Sequence, residues 1–124
     1  MTPRRVVVLV ADLFFSARIR ATAGSLGVAL EEADAVSALE TCRARPPGLV
    51  IMDLHAGGDP LAVARSLKAE PETRAIPIVG FYSHVDRALR QAALEAGMDH
   101  VLPRSAFTAK LPELLAATAR GDPG

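Results

Sequence analysis

Cysteine is almost missing from this chain of 124 residues, where Cys42 stands alone. A lone thiol forms no internal disulfide, so a reducing interior compartment is expected. An excess of charge of one sign is also missing. Fourteen Lys and Arg balance fourteen Asp and Glu, for a formal net charge of zero at pH 7. That balance argues against a nucleic-acid binder, which carries a basic excess or stripe, and against a membrane-surface protein. Long apolar runs are lacking too. Arg4 and Arg5 precede an apolar stretch that covers only Val6 to Ala11 before Asp12 interrupts it. This is short for a signal-peptide core and far from the ~20 residues of a membrane span. No glycine-rich phosphate loop follows that stretch, because Asp12-Leu13-Phe14-Phe15 is bulky where a nucleotide or flavin site needs glycines or hydroxyls. Internal repeats and low-complexity tracts are absent. A cytoplasmic protein with no nucleic-acid and no membrane partner is the expectation.

What is present suits one packed domain. Half of the residues are apolar and 23% are charged, within the range of ordinary globular domains of about 100–200 residues. A single domain is expected over 1–124, with a core at about 5–119 and a tail at 120–124. Gly121-Asp122-Pro123-Gly124 reads as a frayed end with no second domain after it.

Two kinds of segment alternate along the chain. Val6–Val10, Leu49–Met52 and Ile76–Phe81 are continuous apolar runs, the pattern of strands covered on both faces of a parallel sheet. Pro77 is tolerable near the start of its run. Weaker strands are expected at Gly27–Glu31 and Asp99–Leu102. Between them lie amphipathic segments. Phe15, Ile19, Ala23 and Leu26 share one helical face, opposite Arg18 and Arg20. A second helix over Ala35–Ala44 groups Val36, Leu39 and Cys42. A third over Leu61–Ala69 groups Leu61, Ala64 and Leu67, with Asp59-Pro60 as cap and first turn. Asp86 caps a fourth over Arg87–Ala96, which Gly97 ends. The last spans Phe107 to Ala119, with a restart at Pro112.

Five strands alternating with five helices force parallel strands and right-handed crossovers, giving an open, doubly wound α/β sheet. Ligands on such sheets bind at the carboxyl ends of the strands. The residues placed there are Asp12, Asp53, Tyr82 to His84, and Pro103-Arg104.

The order and spacing of Asp12, of Leu49-Val50-Ile51-Met52 closed by Asp53, of Ile76-Pro77-Ile78-Val79, and of Ala93 through Asp99 resemble the receiver domain of bacterial two-component response regulators. The resemblance covers about Arg5 to Ala119. It implies a flavodoxin-like sheet of order 2-1-3-4-5 and a signalling module rather than an enzyme. It further implies Asp53 as the acceptor of a phosphoryl group from a histidine kinase. In that family two acidic residues after strand one hold Mg²⁺, a Thr or Ser ends strand four, and a Lys ends strand five. Phosphoryl transfer depends on this positioning and charge neutralisation around the metal.

Against that pattern several positions depart. The acidic pair reads Ala11-Asp12, so the metal set reduces to Asp12, Asp53 and the backbone carbonyl of His55, and Mg²⁺ is expected to bind weakly and not to be required. The small hydroxyl falls on Tyr82, with Ser83 beside it as the other candidate. The lysine falls on Arg104, a planar fork that pairs with carboxylates and is expected to lie on Asp53 or to face solvent. The aromatic of strand five, which swings inward on activation, falls on Val101. A large ring at 82 and an aliphatic at 101 leave the switch without a second state for a ligand to select.

The expectation is therefore a stand-alone, degenerate receiver that signals through protein contacts with little or no phosphorylation. Its partner would be a histidine kinase, a phosphotransfer protein or an output protein, since without an output domain it would not itself bind a promoter. Arg87 and Arg90 on the fourth helix mark the expected partner face. Homodimerisation through helix four, strand five and helix five is a further expectation. Two alternatives stay open: a phosphorylation-competent single-domain response regulator using Asp53, and a small α/β ligand-binding domain or enzyme using Asp12, Asp53 and Arg104. His55, Asp53 and His84 form a conceivable zinc set, although loop histidines more often face water. Cys42 reads as a buried, inert thiol. Leu13, Phe14 and Phe15 are expected to divide between core and edge, with Phe14 assigned to the core and, if exposed, a partner contact.

Overall fold

The structure, a computed structural model, describes residues 5–84 and 86–120. Of the tail expected at 120–124, Arg120 is the last residue of the fifth helix and 121–124 lie outside the described residues. Five strands and five helices alternate: β1 (Arg5–Leu9), α1 (Leu13–Ser25), β2 (Ala29–Glu32), α2 (Ala38–Ala44), β3 (Leu49–Asp53), α3 (Pro60–Ala69), β4 (Ile78–Tyr82), α4 (Arg87–Glu95), β5 (His100–Pro103) and α5 (Arg104–Arg120). All pairings are parallel and the order is β2-β1-β3-β4-β5, as the resemblance implies.

Alternation along the central strands explains why their sequences are apolar throughout. Val7, Leu9, Val50, Met52 and Ile78 belong to one core with α2, α3 and α4. Val6, Val8, Leu49, Ile51, Val79 and Phe81 belong to the other, with α1 and α5. Each residue of these strands is therefore removed from water on one face or the other. Gly80 is closely packed against the first core: a Cβ there would meet the Met98 sulfur at 2.6 Å and a Leu54 methyl at 3.1 Å.

Helix ends follow the capping residues. The Asp12 carboxylate accepts from the amides of Phe14 and Phe15 and starts α1. Asp59 accepts from Ala62 and Asp86 from Leu89. Gly97 follows α4 at φ +103°, a conformation that suits glycine.

Several boundaries differ from expectation. β4 begins at Ile78, not Ile76, because Pro77 has no N–H; its carbonyl instead accepts from Val50. β5 begins at His100, since the Asp99 carboxylate takes the Ile78 amide and the Lys68 ammonium. α2 begins at Ala38, not Ala35. Asp34 accepts from the amides of Val36 and Ser37, a turn that holds those residues outside the helix and leaves Val36 92% exposed. Leu26 is likewise an exposed cap residue. α5 runs unbroken from Arg104, directly after β5, through Pro112. Pro112 lies on the exposed face, where water can serve the carbonyl it leaves unpaired.

Candidate functional site

The paired strands end level with one another: Leu9 beside Met52, Asp53 beside Phe81, and Tyr82 beside Pro103. The segments that follow them meet at one rim. Asp53, the last residue of β3, is only 8% exposed. One of its carboxylate oxygens accepts from the His55 amide at 2.9 Å. Its own carbonyl accepts from Ala56, which closes a tight turn under the acid. No ion pair of Asp53 occurs among the described residues.

Arg104 does not lie on Asp53. Its guanidinium reaches Asp12, with a nitrogen 3.1 Å from Oδ2. Its central carbon stands 4.0 Å from the centroid of the Phe15 ring, close enough for a cation–π contact. The reason is geometric. α5 begins at Arg104 itself, so its side chain rises from the first turn of α5 over α1, on the side of the sheet that holds Phe15. Phe15 is fixed in turn by Phe81 at 5.0 Å and Phe107 at 5.9 Å, and Phe81 stacks on Phe107 at 4.7 Å. Asp12 consequently has both oxygens engaged, Oδ1 by two helix amides and Oδ2 by Arg104. The Phe15 amide and then the Arg104 guanidinium hold its carboxyl below the usual carboxylate range. The capping role was readable in advance, since Asp ahead of a helix is a preferred cap. The pairing with Arg104, 92 positions away, had no local signal.

Ala11 is exposed and supplies no oxygen from its side chain. It borders a cavity of about 280 Å³ floored by Leu9 and Val10 and walled by the loops at 33–36 and 56–58. This donor set does not fit a divalent ion. Of the two carboxylates at the rim, one is already spent on a helix end and a guanidinium. Mg²⁺ requires near-octahedral oxygen ligands and gives up water reluctantly.

Tyr82 ends β4, is partly buried, and packs against the same core that contains the buried Val101. Ser83 beside it is exposed. His55 and His84 are exposed and meet edge to face with ring centroids 5.7 Å apart. The zinc set weighed above does not form: no group of three or more His, Cys, Asp or Glu that could hold a metal occurs among the described residues. His100 lies at the start of β5, the far end of the sheet. Arg87 and Arg90 are exposed on α4. Cys42 is fully buried, and burial pushes its thiol up to about 11. Phe14 is not in the core. It is 91% exposed beside an exposed Leu13, because the turn of α1 that buries Phe15 points its neighbour outward.

No family model and no curated protein matches the sequence. Solved structures do. The chain is similar to the signal receiver domain of a signal transduction histidine kinase from Syntrophus aciditrophicus, with TM-score 0.81 and 19% identity over 94% of this chain and 90% of that one. It is similar to the receiver domain of a sensor histidine kinase from Pseudomonas aeruginosa, solved with a magnesium ion coordinated in its active-site cleft. There the TM-score is 0.81 and the identity 20%, over 95% and 98% of the two chains. The signal receiver domain of a DNA-binding response regulator from Colwellia psychrerythraea aligns with TM-score 0.75 at 14% identity, over 90% and 97%. At these identities the likeness establishes the fold alone: the chain has the receiver fold.

Proposed function

We propose that this chain is a degenerate receiver, a two-component signalling module that works through protein contacts with little or no phosphorylation. The observation that carries the reading is the state of Asp12. The acid at the metal position is bound by two helix amides and by Arg104, and Ala11 stands where a second acid would be. The switch pair supports the same reading, since Tyr82 packs against the core that holds Val101. A phenol there takes up space that an inward-turning aromatic would need. The partner is a protein, with a histidine kinase, phosphotransfer protein or output protein as the class. Exposed Arg87 and Arg90 on α4 are the proposed contact, and α4, β5 and α5 the proposed dimer face. A cytoplasmic location and the lack of enzymatic turnover belong to this reading. No helix among the described residues is long and apolar enough to cross a membrane.

A second reading keeps phosphorylation on Asp53. It is favoured by one observation: the Asp53 carboxylate ends β3 with the His55 amide on it and, among the described residues, no ion pair to it. The two readings separate on incubation with acetyl phosphate and Mg²⁺ followed by intact-mass measurement. The degenerate receiver gives no adduct. A stoichiometric phosphoryl adduct that disappears in Asp53→Ala would establish the second reading instead.

A further inference from the structure

Arg104 is held from three directions. Its backbone starts α5 immediately after the end of β5, and its carbonyl accepts from the Thr108 hydroxyl at 2.8 Å. The Phe15 ring lies under its guanidinium, and the Asp12 carboxylate faces its edge. Asp12 is held as firmly, because releasing Oδ1 would uncap α1. Three of the roughly four acceptor positions of the Asp12 carboxylate are therefore taken, and a divalent ion approaching Oδ2 meets a like charge already seated on it. Removing one acid by the presence of Ala11 would only weaken an ion site. A cation supplied by the chain itself fills it.

We infer that Arg104 is the resident counter-ion of this rim, taking the place of a divalent metal and closing the site to one. The inference deepens the signalling reading above and rests on it for the choice of metal. The half-exposed pair itself adds little to stability. Its consequence is electrostatic: Arg104 places a positive charge of the chain itself on the Asp12 oxygen that an ion would use.

The test uses Mn²⁺ with the full chain. Binding is read by water-proton relaxation and by quenching of tyrosine emission, since the only tyrosine is Tyr82 at the rim and tryptophan is absent. Folding of every variant is followed by circular dichroism, with Arg104→Gln as the companion of Arg104→Met should either fail to fold. Wild type is expected to show no saturable binding. Ala11→Asp alone is expected to stay weak, because Arg104 still holds Asp12. Ala11→Asp with Arg104→Met or Arg104→Gln is expected to bind at least about tenfold tighter than Ala11→Asp, a difference of ~1.4 kcal/mol. Saturable binding by wild type, or equal affinity in Ala11→Asp and the double variants, overturns the inference. The phosphoryl-adduct measurement is independent of this one. Mn²⁺ binding without an adduct removes the counter-ion role and leaves the degenerate receiver standing. An adduct in a wild type that gives no saturable Mn²⁺ signal does the reverse.

Discussion

Phe14 and Phe15 are neighbours with opposite surroundings, and truncating each to alanine tests the packing that supports the rim. Phe15 is buried, with Phe81 and Phe107 at 5.0 and 5.9 Å and the Arg104 guanidinium at 4.0 Å. Phe15→Ala opens a cavity that its neighbours fill only in part, a change that costs about 3–5 kcal/mol. The two lost aromatic contacts contribute to that sum at about 0.5–1.5 kcal/mol each. Against a total stability of about 5–15 kcal/mol the loss is large. With ~2.1 cal/mol/K of unfolding entropy per residue, the 124 residues give ~260 cal/mol/K, so ~4 kcal/mol lowers Tm by about 15 °C. Phe14→Ala, at 91% exposure, stays within about 0.5 kcal/mol of wild type. Urea unfolding of the three proteins, with m-values checked for constancy, reads both numbers. A Phe15→Ala cost below about 1.5 kcal/mol, or a Phe14→Ala cost matching it, would refute the packing described and with it the placement of Arg104.

Further predictions concern protons and thiols. Asp12 and Asp34 are held below the usual carboxylate range chiefly by the backbone amides of Phe15 and Ser37, and Glu32 by the Ser16 hydroxyl. For a carboxyl depressed on folding, the stability it contributes is present above the ordinary range and lost as pH falls from there through the lowered folded-state value. Tm is therefore expected to drop on acidification through that range, and Asp12→Asn combined with Asp34→Asn is expected to flatten the drop; an unchanged slope in thermal melts would contradict the assignment. The Cys42 thiol, pushed up to about 11, is thiolate in only about 10⁻⁴ of molecules at neutral pH. Disulfide-exchange reagents should leave it unmodified in the native protein and label it fully in urea, and rapid native labelling would contradict its burial. Gly80→Ala is expected to lower stability by about 1–3 kcal/mol, because its methyl would meet the Met98 sulfur at 2.6 Å; a neutral result in chemical unfolding would show that this core has slack.

The elements most legible in the sequence are those whose residues are buried on both faces. β1, β3 and β4 are continuous apolar runs because helices cover both sides of the sheet. β2 is at the edge, carries exposed Ala29, Glu31 and Glu32, and so offers neither a run nor a clean alternation. The false start of α2 has a similar cause: Ala35 and Val36 fit a helical face, but the Asp34 side chain takes the amides of Val36 and Ser37. Asp12 and Asp53 were legible as rim residues because each closes an apolar run. The partner of Arg104 was not. An arginine side chain on the first turn of a helix reaches wherever the helix start aims it, and whether that is Asp12 or Asp53 depends on α5 starting at 104 rather than 107. The opposite fates of Phe14 and Phe15 depend in the same way on the rotation of α1, which the Asp12 cap sets.

The most direct test of the degenerate receiver is a backbone-amide NMR spectrum of the protein with and without beryllofluoride and magnesium, an acyl-phosphate mimic. The amides of Asp53, α4 and β5 are expected to stay where they are. A new bound state at Asp53 accompanied by displacement of α4 resonances would contradict it.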